Sequence, residues 1–457
     1  MFSSRRPGGP IFSFLNRFGV SSRLAGEGGW AAGGQIATVL AILISVRIMT
    51  ELLAPEEFGR LALLLGIGVL TLGLVATPRL QAVMRYYPEQ ALAGRIGALR
   101  RAGIRLTGGL VLSAALVLAA GWMLAGPLFG EPWFSGPLIA ALLVVDSLRA
   151  LELSLFNAAR RQRAAALIYA ADAWARPGVA VLAVVLFGAH ADAALAGYIA
   201  GSALVVAAMY MTMRLEGAAR GRPRWKAGTA MRADEAALAA AIRRYALPLV
   251  PLAIFGWVSG VGDRYIIGGV VGLKEVGLYA AAYGLASRPF MVLSGILELT
   301  IRPALYNAVA SGNMAHVARI KRAWVMTVAG SSAFGVLCFL FLSGWVGDLL
   351  LAAEYRSATA LMPWIALGYA LSGVSNVFSR FCYAFDDTRA VLFLTAAGTV
   401  MGVIIMVPAI YFYGLAGAAA AVPVQFGVEL SLSVFLARRA ERKFLMKLAC
   451  ASTKGTI

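Results

Sequence analysis

The sequence predicts an all-α polytopic membrane protein, with about twelve transmembrane helices arranged as two six-helix lobes. Three observations carry this reading. First, 60% of the 457 residues are apolar and only 14% are charged, whereas an ordinary soluble domain is about 45–50% apolar and about 25% charged. Second, the apolar residues form uninterrupted blocks, as in 110–126 and 391–410. Their length, roughly twenty residues, crosses a hydrocarbon core of about 30 Å at about 1.5 Å per helical residue. Third, the basic residues collect in alternate connections, the signature of membrane orientation. Only helices and closed barrels satisfy their own backbone groups in lipid. Barrel strands alternate polar and apolar residues over about ten positions, and these blocks do not alternate.

The elements follow in order. A cytoplasmic tail, 1–27, carries Arg5, Arg6, Arg17 and Arg23 but no cleavable signal peptide, since it lacks an adequate apolar core and a small-residue cleavage site. Its 11–18 stretch suits a short amphipathic surface helix or an unstructured tail. The N-terminal lobe, 28–213, holds apolar blocks at 28–50, 58–78, 106–126, 134–157, 164–187 and 193–213. A basic cytoplasmic linker, 214–244, follows and is too short to fold alone. The C-terminal lobe, 245–437, holds blocks at 245–268, 276–300, 323–345, 357–379, 390–410 and 414–437, and a basic cytoplasmic tail, 438–457, ends the chain. Pro177, Pro248, Pro251, Pro289, Pro363, Pro408 and Pro423 lie in these blocks and predict kinks or breaks.

Orientation follows from the charges. Of 41 Lys and Arg residues, 33 fall in the tails and connections of one side. Only Arg60, Lys274 and Arg356 fall on the other, and Arg47, Arg149, Arg176, Arg264 and Arg288 fall inside helices. This asymmetry places both termini in the cytoplasm and supports an even number of crossings. Glu51, Glu56, Glu57, Glu131, Asp192, Glu275, Asp348 and Glu354 occupy the outer connections.

Several function classes are disfavoured. The net charge of +19 is dispersed between apolar blocks, which does not make a nucleic-acid-binding stripe. Cys338, Cys382 and Cys450 are scattered and form no disulfide framework. His190 and His316 are isolated, so no metal site is expected. Nothing resembles a Walker A loop or a catalytic triad, and no cofactor is expected. The outer connections are too short for a catalytic domain, which argues against a polymerase or ligase of lipid-linked glycans.

An internal repeat links the halves. Arg47 is followed by Glu57-Phe58-Gly59, and Arg264 by Glu275-Val276-Gly277, with offsets of 217 residues at the Arg and 218 at the Glu. Each Arg lies near the outer end of the first helix of a six-helix half, and each Glu-apolar-Gly opens the second. Such duplications build many secondary transporters; here, an even number of helices per half implies an axis along the membrane normal.

At these residues the chain resembles the Wzx-type polysaccharide and O-antigen repeat-unit flippases of the MOP superfamily. The resemblance rests on Arg47, Leu52, Leu53, Pro55, Glu57, Phe58 and Gly59, and on Asp263-Arg264-Tyr265-Ile266-Ile267-Gly268 followed by Val276-Gly277-Leu278-Tyr279-Ala280-Ala281-Ala282-Tyr283. It implies a MATE-like plan of two lobes around a central cavity. It also implies an undecaprenyl-pyrophosphate-linked oligosaccharide substrate, turned from the cytoplasmic to the outer leaflet, and a polysaccharide polymerase and chain-length machinery as partners. A multidrug antiporter of the same superfamily is the alternative.

Charges in lipid cost at least about 2.5–3.5 kcal/mol each and persist where they pair, meet water or carry function. Eleven stand out: Arg47, Asp146, Arg149, Glu152, Asp172, Arg176, Asp263, Arg264, Arg288, Glu298 and Glu429. Guanidinium groups stay protonated and bind phosphate oxygens bidentately. Arg47, Arg264 and Arg288, with Arg149 and Arg176, are therefore the expected cationic lining for a pyrophosphate headgroup. The other reading has Arg47 and Arg264 snorkelling to the outer interface. Asp146, Glu152, Asp172, Asp263 and Glu298 are the candidates for proton or sodium coupling, because burial makes a carboxylate protonatable. Asp146, Arg149 and Glu152 share one stripe, and Asp172 and Arg176 are one turn apart, so ion pairing within a lobe is the competing reading. Tyr279 and Tyr283, also one turn apart, are candidates to stack on sugars or to sit at an interface.

Overall fold

The computed structural model describes residues 22–159, 162–219 and 229–454. The predicted surface helix at 11–18, most of the N-terminal tail and part of the linker lie outside the described residues. Thirteen α-helices are defined among the described residues: α1 (Ser22–Leu52), α2 (Pro55–Val75), α3 (Thr77–Leu92), α4 (Ile96–Ala125), α5 (Ser135–Ala158), α6 (Gln162–Phe187), α7 (Ala191–Ala219), α8 (Thr229–Ala246), α9 (Val250–Val270), α10 (Leu273–Ala310), α11 (Met314–Leu350), α12 (Met362–Ala384) and α13 (Thr388–Lys454).

Among the described residues, ten spans are long and apolar enough to cross a membrane. Thr388–Met446, at 59 residues, is about 88 Å long at about 1.5 Å per residue, enough for two crossings. Gly414 interrupts it with φ 57° and ψ −135°, a conformation in which a Cβ would be strained. The α5 helix is not among these spans, since its apolar run is broken by Asp146, Arg149 and Glu152. The twelve predicted blocks thus each have a helix, and the chain is a multi-pass membrane protein.

Two expectations need correction. The prolines do not supply the breaks uniformly. Pro177, Pro289, Pro408 and Pro423 lie inside helices, while Pro251 and Pro363 sit in first turns, where the missing N–H is not needed. The basic stretch 79–105 is helical rather than an open connection. In α3, Leu80 and Val83 are buried while Arg85 points outward, so an amphipathic face secures the helix outside the apolar blocks. In the linker, α8 buries Ile242 against Val83 and Leu99, and its Glu235 accepts hydrogen bonds from Arg101 and Arg105.

Contacts divide the chain into two compact units. The first comprises Leu40–Ala281 with Gly347–Ala358. One of its cores gathers Met49, Leu53, Leu64, Ile139 and Leu195, and another gathers Val83, Leu99, Leu151 and Ile242. The repeated Glu-apolar-Gly segments open α2 and α10 within this unit and lie backbone against backbone. Tyr355 closes over the α1–α2 turn, donating its hydroxyl to the carbonyl of Leu53 at 2.8 Å. The second unit comprises, of the described residues, those from Ala282 to Val346, those from Thr359 onward and those before Leu40. Its core is built on Leu305, Ile320, Trp324, Phe381, Cys382 and Leu436. Cys338 and Cys382 are free thiols.

Candidate functional site

The predicted charges of α5 and α6 come together in the first unit. Asp146 and Arg149 are three residues apart, so their side chains meet over one helical turn. Arg149 donates from Nε to Asp146 at 3.1 Å and from a terminal nitrogen to Asp172 at 2.7 Å. Arg176 donates to the second oxygen of Asp146 at 2.9 Å, and Ser202 of α7 donates to the first at 2.8 Å. Two arginines and two aspartates thus form a largely buried chain of contacts, Asp172–Arg149–Asp146–Arg176, across α5 and α6, joined by Ser202 of α7. Tyr198 lies against the Arg176 guanidinium, 5.8 Å from its ring centroid. Ser202 had no sequence signal, since a serine in an apolar helix is commonplace.

Glu152 leaves this group. It is only 1% exposed and pairs with Arg100 of α4, which also lies 5.3 Å from the ring centroid of Tyr210. The stripe predicted for Asp146, Arg149 and Glu152 therefore divides between two sets of partners.

The first repeat arginine, Arg47, pairs with Glu51 one turn on, at 2.5 Å. Near the second, Asp263 accepts the backbone N–H of Arg264 at 2.8 Å and the Tyr279 hydroxyl at 2.8 Å. Arg264 is itself half-buried. Tyr279 is fully buried, so in this conformation its ring offers no face to a sugar.

A second charge cluster in the first unit was not singled out by sequence. Arg60 of α2 reaches Glu131 at 2.8 Å, Asp192 at 2.7 Å and Ser135 at 2.8 Å, tying three connections together. Ser135 also donates to Asp192 at 2.7 Å, and Glu57 accepts the N–H of Ala191 at the start of α7. The signal was present: Arg60 is a rare basic residue among outer acids.

In the second unit, Arg288 is half-buried on α10 just before Pro289. Tyr283 is buried and shares a 2.5 Å hydrogen bond with Tyr369 of α12, their rings edge to face at 5.4 Å. Glu298 is held by Arg302 and by Arg380 of α12, both at 3.0 Å. Glu429 lies on the second limb of α13, with Ser375 of α12 at 3.5 Å.

No protein-family model matches the chain, and no curated protein sequence matches it. Solved structures do. An inward-facing multidrug resistance MATE family transporter of the MOP superfamily aligns with a TM-score of 0.66 at 11% identity, over 91% of this chain and 99% of that one. The lipid II flippase MurJ in an inward closed conformation gives 0.65 at 12% identity, over 98% and 93%. A mutant of the Vibrio cholerae MATE transporter VcmN gives 0.62 at 12% identity, over 92% and 98%. At such identities the likeness carries the architecture, and it is unambiguous there: this chain has the all-helical transporter fold that the MATE and MurJ structures share.

Proposed function

We propose that the chain is a flippase that moves undecaprenyl-pyrophosphate-linked oligosaccharide repeat units from the cytoplasmic to the outer leaflet by ion-coupled alternating access. The observation that supports it most is a division among the intramembrane arginines. Arg149 and Arg176 are committed to Asp146 and Asp172 across helices. Their side chains are only 12% and 19% exposed, less than that of Arg47. Arg47 and its partner Glu51 are 36% and 51% exposed, so that pair is open to exchange with another anion. A partly exposed guanidinium in a membrane helix suits a wet path for a multiply charged anion. In this reading Arg47, Arg264 and Arg288 receive the pyrophosphate, while Arg149 and Arg176 hold their lobe together.

The test is export in a strain lacking its own flippase. Single Arg→Ala substitutions at the three positions abolish export, and Arg→Lys retains part of it. Normal export by a correctly inserted triple-Ala variant overturns the proposal.

The second reading is a multidrug antiporter, favoured by the likeness to a multidrug resistance MATE structure. A site for cationic drugs needs accessible carboxylates, and here Asp146, Asp172, Glu152 and Glu298 are engaged by arginines. Drug susceptibility of a host carrying the chain separates the two: raised resistance without glycan export selects the antiporter.

A further inference from the structure

A carboxylate within lipid must be neutralised by a cation, by hydrogen bonds or by a proton. The carboxylates singled out within the helices differ in how this is met. Asp146 meets two arginines and a serine, Asp172 meets Arg149, Glu152 meets Arg100, and Glu298 meets Arg302 and Arg380. Asp263 has the Tyr279 hydroxyl and the N–H of Arg264. Among the described residues, Glu429 has only the Ser375 hydroxyl, at 3.5 Å, although it lies inside the candidate span Thr388–Met446.

The surroundings of Glu429 are shaped to hold it. The two limbs of α13 fold against each other about Gly414, and the first limb presents two glycines one turn apart. A Cβ on Gly402 would lie 2.6 Å from Gln425 Nε2, and one on Gly398 would lie 3.5 Å from Glu429 Cγ. Gln425 and Glu429 are likewise one turn apart, so two polar side chains enter a notch that the glycines leave open. From α12 the notch receives Ser375, which is fully buried. No charged group of these three segments lies against the carboxyl among the described residues. Arg380 of α12 and Glu298 of α10 pair with each other at 3.0 Å.

We propose that Glu429 is the proton-carrying group of the transport cycle, with Ser375 and Gln425 completing its site. The carboxyl is neutral while the notch is dry. When water reaches it from one side, its O–H bond breaks, the proton leaves as hydronium and the carboxylate is briefly hydrated. Reprotonation from water on the other side restores the neutral acid, so one proton crosses per cycle. A hard metal cation needs about six or more oxygen ligands at once, more than the carboxylate, the Ser375 hydroxyl and the Gln425 amide oxygen supply, whereas a proton needs a single oxygen. The proposal rests on the ion-coupled transport reading, but its first test does not need a substrate.

That test is pH-difference infrared spectroscopy of the full-length chain in liposomes. The wild type shows a protonated carboxylic acid band at neutral pH. Glu429→Gln removes it, Glu429→Asp keeps a titrating band at a shifted midpoint, and Ser375→Ala shifts the midpoint while Asp263→Asn does not. A band unchanged by Glu429→Gln, or one that sodium abolishes at constant pH, overturns the proposal. The second test imposes a pH gradient on liposomes and follows lipid-linked glycan and a cationic dye. Transport by Glu429→Gln that no longer responds to the gradient supports the proposal, and an undiminished response overturns it. Loss of the infrared band in Glu429→Gln, together with gradient-driven transport of the dye but not of the glycan by the wild type, leaves Glu429 in its role and overturns the flippase reading instead.

Discussion

Gly59 and Gly277 pack backbone against backbone, each occupying the space that the other's side chain would need. A Cβ on Gly59 would lie 2.1 Å from the carbonyl oxygen of Leu273, and one on Gly277 would lie 1.9 Å from that of Pro55. The two contacts are reciprocal, since Gly277 stands to Gly59 as Leu273 stands to Pro55, each 218 residues on. A local pseudo-two-fold axis therefore passes between the starts of α2 and α10, relating the two copies of the repeat. Small residues permit this approach, and van der Waals contact between close backbones drives helix association in lipid.

Alanine at either position is predicted to destabilise the fold. Inserting a methyl into a filled contact costs about 1–3 kcal/mol, and here the obstacle is backbone rather than a side chain that can turn away. Gly277→Ala and Gly59→Ala should lower the thermal unfolding temperature of the purified protein in detergent. Gly269→Ala, where a Cβ meets nothing within 4 Å, should leave it unchanged. Equal unfolding temperatures for all three variants would contradict the close approach.

The contacts of Arg149 and Asp172 lead to a second prediction. Removing one partner of a buried ion pair costs about 3–5 kcal/mol, because the other is left uncompensated. Arg149→Met and Asp172→Leu should each sharply reduce folded yield. The double variant should recover much of the loss, since apolar residues of similar volume satisfy a buried site as well as a pair does. Simple additivity of the two losses would show that the residues do not act together.

Much of the fold was legible because a membrane span is written in one dimension. Length, charge exclusion and loop charge located twelve apolar blocks, each of which is helical, without any knowledge of packing. The helical nature of 79–105 and of the linker was less visible, because there the signal is burial of single residues such as Val83 and Ile242 by tertiary neighbours. The site divided in the same way. Spacing brought Asp146 to Arg149 and left Asp172 near Arg176 in sequence. The cross-helix choice of Arg149 for Asp172, and of Glu152 for Arg100, depends on helix rotation, which spacing does not encode. The isolation of Glu429 is a property of its neighbours and was not visible from its own position.

Arg60 supplies a third prediction. Its planar fork satisfies Glu131, Asp192 and Ser135 at once, and a lysine ammonium cannot reproduce that geometry. Arg60→Lys should lose part of the stability and Arg60→Met nearly all of the contribution, leaving Glu131 and Asp192 as uncompensated like charges. Limited proteolysis at the 126–134 and 188–191 connections is the direct readout. Cleavage should rise from wild type to Lys to Met, and a Lys variant as resistant as wild type would show that one point charge is enough.

The last prediction concerns pH and the Asp387 carboxyl, which precedes the span Thr388–Met446. Asp387 accepts a 3.0 Å hydrogen bond from Lys443 and caps the N-terminus of α13 by accepting the N–H of Ala390 at 3.2 Å. The hydrogen bond from Lys443 holds its carboxyl below the usual aspartate value, against a smaller opposing effect of burial. A carboxyl whose folded value is depressed contributes stability that is present above its unfolded value, about 3.9, and is lost as pH falls through the folded value. The pair is partly exposed, so its contribution is about 0.2–1 kcal/mol. Lys443→Met should therefore lower stability near neutral pH and converge on wild type in acid. Asp387→Asn should keep the cap and lose the dependence on Lys443. Asp387→Ala should lose both, with about 1 kcal/mol more for the missing cap. Unfolding measured from pH 3 to 7 distinguishes these cases, and a wild-type advantage over Lys443→Met that persists undiminished at pH 3 would rule out the carboxylate as its source.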